Sequence, residues 1–244
     1  MSDIVVERAN IRTWGMFGAA FLLNVDADHS SLRRMDFRLR SQSVRYRRCE
    51  TAFHTIIAPG AIRGYVHCAM AHASVLRTAK YEGTEPVLVF EDDAILRDDT
   101  AEFMWSSIVP QLRLVEWDIL FLGPDVCGES DPLSANLLRV RRGCQMHAYA
   151  VSTRGLDRVL RILDQAIVAQ RAPCDVMVGN DSALIKVRTS PTLAIQDGRP
   201  SVTASRGDPV SSLVDHLSAI DGEDFLAHCE EARKWFAPHH RDAT

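Results

Sequence analysis

The segment PVLVF, residues 86–90, is apolar at every position and runs directly into Glu91, Asp92 and Asp93. A short run that is apolar on both faces belongs to a strand inside a sheet covered by helices on both sides. Around it the sequence alternates between strand-like and helix-like stretches. MFGAAFLLNV (16–25) reads as a buried strand, and HSSLRRMDFRLR (29–40) has helical spacing through Leu32, Met35 and Leu39. Residues 44–53 predict a second strand, and 59–83 contain a helix striped by Ile62, Val66, Ala69, Met70, Ala73 and Leu76 and closed by Gly83. Further helices are expected over 100–114 and 153–170, with a buried strand over 117–123. A hairpin is predicted from 136–140 and 144–152 around Arg141-Arg142-Gly143, a short helix or helix pair within 174–187, and a last strand over 192–196. This alternation predicts an α/β domain with a mainly parallel central sheet flanked by helices. We expect that domain to span residues 1–205 and to be followed by a C-terminal helical extension and tail, 206–244.

In such sheets ligands bind beyond the carboxyl ends of the strands, and the acidic triplet lies at one of these ends. Adjacent carboxylates raise one another's pKa, and a cation relieves them. The plain alternative is a solvated acidic turn. If the strand continued through the triplet, Glu91 and Asp93 would point the same way. Their hard oxygens suit Mn²⁺ or Mg²⁺ carrying a phosphate. A formal net charge of −4 argues against nucleic acid or an anionic membrane as partner. No apolar run reaches the roughly 20 residues of a transmembrane segment, and the first residues lack the order of a signal peptide, so a cytoplasmic protein is expected. The six cysteines include no C-x-x-C pair, which argues against a structural zinc site and a disulfide framework and favours buried thiols.

Several segments, in order, resemble glycosyltransferase family 25, the family of lipopolysaccharide and collagen-type galactosyltransferases. FLLNVDADHSSLRRMDFRL resembles its opening strand, Asn-x-Asp turn and arginine-paired helix; HCAMAHASVLRTA its Gly-Cys-x-x-Ser-His helix; and VLVFEDDAIL its Glu-Asp-Asp signature. WDILFLG, HAYAVSTRGLDRVL, APCDVMV and LAIQDGRPSVTAS resemble the segments that follow. His67 and Ala71 stand where the family has glycine and serine. The resemblance covers roughly residues 17–205.

The resemblance implies a GT-A-like fold and a metal-dependent, inverting transferase. Such an enzyme moves a sugar, commonly galactose, from a UDP-sugar to a hydroxyl of a glycan, lipid-linked sugar or protein. It places Asp93 and Glu91 as ligands of Mn²⁺ (or Mg²⁺), and His147, expected at a strand end near the metal, is a further candidate ligand because imidazole binds Mn²⁺. Asn24, Asp26, Arg33, Arg34, His72, Glu91 and Asp92 fall around the nucleotide sugar, and Asp175 is the candidate general base. Gln196 and Ser201 match the closing segment. Each has an ordinary alternative: turn chemistry for Asn24 and Asp26, a solvated helix face for Arg33 and Arg34, helix packing for His72, and a helix cap for Asp175. Two rival functions use the same residues, a metal-dependent phosphohydrolase and a non-catalytic nucleotide-sugar or glycan-binding relative.

Overall fold

The computed structural model describes residues 14–25, 29–51, 60–169 and 173–196. The expected extension over 206–244 lies outside them, as do Asp26 and Ser201. The chain runs β1 (Ala19–Val25), α1 (His29–Ser41), β2 (Arg47–Thr51), α2 (Gly60–Glu82), β3 (Val87–Glu91) and β4 (Ala94–Leu96). Helix α3 (Thr100–Phe103) passes through a π-helical turn, Met104–Ile108, into α4 (Val109–Leu112). Pro110, in the first turn of α4, has no N–H to give the ladder, a reason for the helix to widen there. β5 (Ile119–Phe121), β6 (Asp125–Ser134), β7 (Leu137–Cys144), β8 (Ala148–Val151), α5 (Leu156–Ala169), α6 (Cys174–Asn180), β9 (Lys186–Thr189) and β10 (Ala194–Gln196) follow.

Eight strands form one sheet in the order β2-β1-β3-β8-β5-β9-β7-β6, and β10 pairs with β4 in a small second sheet. The α/β class with a helix-flanked central sheet is as the sequence predicts. Its parallel part is β2-β1-β3 and the β5–β9 pair. β8 runs antiparallel between β3 and β5, and β7 and β6 add an antiparallel edge, so the sheet is mixed.

The region 125–151 departs from expectation. Arg141-Arg142-Gly143 is no turn: it lies within β7, whose hairpin partner is β6. The segment 124–135 is largely that edge strand. Ala148–Val151 is a separate strand in the middle of the sheet.

The period of two sorts the strand side chains onto two faces. Phe21, Leu23, Val87, Val89, Ile119, Phe121, Tyr149 and Val151 pack with α2, α5 and α6. Ala20, Leu22, Leu88, Phe90, Leu120, Ala148, Ala150 and Val187 pack with α1, α3 and α4. Both layers are closed, as the doubly apolar PVLVF run requires. Helix α2 ends where Gly83 takes φ +65°: Gly83 N bonds Lys80 O and Thr84 N bonds Ala79 O, satisfying the last carbonyls. Among the described residues no helix is long and apolar enough to cross a membrane.

Candidate active site

Glu91 is the last residue of β3, and by parity it follows Val87 and Val89 onto the α2 face. There His72 Nε2 lies 2.8 Å from Glu91 Oε1, while His72 Nδ1 lies 2.8 Å from the hydroxyl of Tyr149 on the neighbouring strand β8. A carboxylate only accepts, so Nε2 carries the hydrogen that joins the pair. His72 is 1% exposed. Burial works against its charged form, but the Cys68 sulfur and the Glu91 carboxylate outweigh it and hold the imidazole up at about 10. Burial likewise opposes the Glu91 charge, and its bond to His72 overcomes this and lowers its pKa. His72, expected beside the nucleotide sugar, therefore has both ring nitrogens engaged within the protein, and its reach towards a ligand runs through Glu91.

The strand ends at Glu91, and Asp92 and Asp93 form a turn before β4. The condition for Glu91 and Asp93 to point together thus fails, and the carboxylates separate. Asp92 accepts from Asn24 Nδ2 at the end of β1, and Asn24 Oδ1 accepts from Arg48 of β2 at 2.8 Å. This chain ties the carboxyl end of β1, and Arg48 near the start of β2, to the acidic turn. Arg38 of α1 donates to the Ala94 carbonyl at 2.9 Å and holds the turn from the other face.

Asp93 turns towards β10, where Gln196 Nε2 donates to its Oδ2 at 2.8 Å. Its Oδ1 is buried and makes no hydrogen bond. Burial and the charges of Glu91 and Asp92 push this carboxyl up to about 7, against the opposing bond from Gln196. His147 immediately precedes β8, and its carbonyl accepts from Glu91 N at 2.8 Å. The ring is 1% exposed and neither nitrogen makes a hydrogen bond. Burial drives its pKa down to about 4, which Glu91 and the Ala194 main chain only partly offset. A buried neutral imidazole and a buried carboxylate oxygen, both without partners, are compatible with a hard divalent cation whose remaining ligands come from a diphosphate. The expected trio Glu91, Asp93 and His147 does not close into a metal cluster by itself. Among the described residues the grouping that does, with ligand atoms all within 4.8 Å, is Cys68, His72 and Cys174.

Asp175 lies in the first turn of α6, not at its cap, which is Pro173. Its Oδ2 accepts from Gln145 N at 2.9 Å and its Oδ1 from Val176 N at 2.8 Å. Burial raises its pKa, and those two bonds oppose the rise. Gly179, one turn on, lies so close to Gly143 O of β7 that a Cβ would sit 1.6 Å from it, so glycine is what lets α6 press against the sheet. Arg33 is exposed, whereas Arg34 is half-buried, with Nη2 donating to Ser31 Oγ at 2.8 Å and Nε buried without a partner.

Sequence reasoning passed over Arg48, Tyr149, Cys68 and Cys174 as site residues. Tyr149 and Cys68 stand inside two of the quoted motifs, so a signal for them was present. Cys174 stands inside a third, APCDVMV, where attention fell on its neighbour Asp175.

No family model and no curated protein matches this chain. Among solved structures it is similar to a glycosyltransferase involved in the glycosylation of the major capsid of PBCV-1, at 9% identity and TM-score 0.43, over 82% of this chain and 99% of that one. It is also similar to mannose-1-phosphate geranyltransferase from Thermus thermophilus, at 11% identity and TM-score 0.40, over 70% of this chain and 73% of that one. Likeness at that distance assigns no activity, and the functional reading rests on the site.

Proposed function

We propose that the chain is a nucleotide-sugar-dependent glycosyltransferase that moves a hexose, galactose by the family resemblance, from UDP to a hydroxyl of a glycan, lipid-linked sugar or protein. The observation that carries this reading is Asp93. It sits beyond the carboxyl end of a central strand, one oxygen fixed by Gln196 and the other buried without a partner, with its pKa near neutrality. Asp93 and His147, with Glu91 beside them, would hold Mn²⁺ (or Mg²⁺). When bound, that ion supplies positive charge to the leaving diphosphate.

The other roles follow from position. Asn24 and Asp92, locked to each other and to Arg48, present polar atoms at the end of β1, where a nucleotide would lie, with Asp26 next in sequence and Arg33 and Arg34 on the following helix. Asp175 takes the proton of the acceptor hydroxyl. Two main-chain N–H groups aim its carboxylate, and burial moves its pKa in the direction a base working near neutrality needs. A base and a diphosphate on opposite sides of the anomeric carbon give inversion.

The purified chain should be incubated with a panel of nucleotide sugars and Mn²⁺, and nucleotide release followed. Release of UDP from a UDP-hexose, stimulated by an acceptor glycan and abolished by EDTA, is the expected result. UDP with Mn²⁺ should also raise the melting temperature, by the equivalent of about 2.7 kcal/mol at 100 times Kd. Hydrolysis of simple phosphate esters without sugar transfer would replace the transferase reading with a phosphohydrolase.

A further inference from the structure

We propose that Cys68, His72, Cys174 and Glu91 form a second metal site, one that takes a thiophilic divalent cation, Zn²⁺ above all. Cys68 and His72 are one turn apart on α2 and so share a face. Cys174 opens α6, and Glu91 closes β3. The sulfurs of Cys68 and Cys174 are 3.8 Å apart. Zn–S bonds of about 2.3 Å in a tetrahedron set two thiolates about 3.8 Å apart, whereas a disulfide needs about 2.05 Å. Cys68 Sγ lies 4.0 Å from Glu91 Oε1, and the ligand atoms of Cys68, His72 and Cys174 lie within 4.8 Å of one another.

The imidazole is already oriented. Tyr149 holds Nδ1, and Nε2 faces the carboxylate, the arrangement by which a neighbouring group fixes a metal-bound histidine. The cation takes the place of the proton joining Nε2 to Oε1, and the pair opens by about 0.5 Å to reach ligand spacing. Two thiolates and an imidazole select zinc over the hard cations that suit Asp93. The sequence offers no C-x-x-C because the ligands come from two helices and a strand end, not from one loop. A cation here pins α2, β3 and α6 together directly behind the acidic turn.

The test uses the full-length chain, reduced and stripped of metal, titrated with Co²⁺ as a spectroscopic substitute for Zn²⁺. A thiolate-to-cobalt charge-transfer band with an equimolar end-point, bleached by Zn²⁺, is expected. It should vanish in Cys68→Ser and Cys174→Ser and persist in Asp93→Asn. X-ray absorption of the zinc-loaded wild-type chain needs no variant, and should show two sulfur neighbours at zinc. Zinc with only oxygen and nitrogen neighbours overturns the proposal. So does a band that survives both serine substitutions or is lost in Asp93→Asn. A Cys68–Cys174 disulfide that re-forms after reduction and excludes metal overturns it as well. None of these readouts depends on sugar transfer, so the proposal and the transferase reading fail separately.

Discussion

Glu91 and Asp93 are two residues apart, yet they occupy opposite kinds of surroundings. Glu91 turns to the α2 face and meets His72, itself bonded to Tyr149, with the Cys68 sulfur beside them. Its charge is compensated: burial pushes its pKa up, and the bond to His72 outweighs this and lowers it. Asp93 turns to β10 and meets a single amide, with one oxygen left over and a carboxyl pushed up to about 7. One motif thus supplies a satisfied, soft-ligand cluster and an unsatisfied hard oxygen. The difference comes from where the strand stops: parity carries Glu91 to one face, and the turn at Asp92–Asp93 carries Asp93 elsewhere. The unsatisfied half is the one with chemistry left to do.

The strongest test of that contrast is Asp93→Asn. The substitution is close to isosteric and removes the charge that would hold the proposed cation. Transfer should fall by about 10³–10⁴-fold, the several kcal/mol that a Lewis acid contributes. Because no ion pair is lost, the melting temperature should hold or rise. Wild-type turnover in this variant, measured as UDP release, would remove the acidic turn from the reaction. The next test is Asp175→Asn, expected to lower turnover by about 10²–10³-fold, within the usual range for a positioned base. UDP binding should barely change, since in the proposed role the base would face the acceptor. An unchanged rate at an unchanged melting temperature would leave Asp175 as a brace between α6 and Gln145.

How much of this was legible in the sequence varies by region, for physical reasons. The strands β1, β3 and β5 announce themselves as short continuous apolar runs, and the helices α2 and α5 by the period that burial imposes on their side chains. β6 does not. DVCGESDPLS carries glycine, proline and acids, which an edge strand tolerates because one side of its ladder is open, and its register slips between Cys127 and Ser130 and between Pro132 and Ser134. Arg141-Arg142-Gly143 reads as a turn by composition, yet the pairing of Arg142 and Gly143 with Cys127 and Val126 of β6 overrides that preference. Of the site, Asp93 was legible from the triplet alone. The cluster around Glu91 was not, because it joins residues 68, 72, 91, 149 and 174, and no local spacing encodes that.

The satisfied half can be tested by removing its compensation. His72→Phe, in metal-free buffer, leaves a buried carboxylate without its partner, and breaking such a pair costs about 3–5 kcal/mol. The loss should depend on pH. The folded pKa of His72 is raised to about 10 from an ordinary 6.5. The stabilisation is therefore complete below about 6.5 and disappears as pH rises through about 10. Urea unfolding of wild type and variant at about pH 6 and above about pH 10 should show the two curves converging. A gap that is constant across that range would mean the ring contributes by packing alone.

The smallest expected effect belongs to Gln196→Ala, and it probes the unsatisfied half without touching its carboxylate. The Gln196 amide bonds the ionised form of Asp93 and lowers its pKa against burial and the neighbouring acids. Without that bond the carboxyl titrates still higher. If ionised Asp93 is required for transfer, the rising limb of the pH–activity profile lies near 7 in the wild type and moves alkaline in the variant. Turnover should then converge with that of wild type once pH is well above both limbs. The shift should be under about one pH unit, since a hydrogen bond to a charged group contributes only about 1.5–3 kcal/mol and water can replace part of it. A rate that falls equally at every pH would instead mean that Gln196 orients Asp93, and that the protonation state of Asp93 does not gate the reaction. Those two outcomes distinguish a carboxylate tuned by its surroundings from one merely held in place.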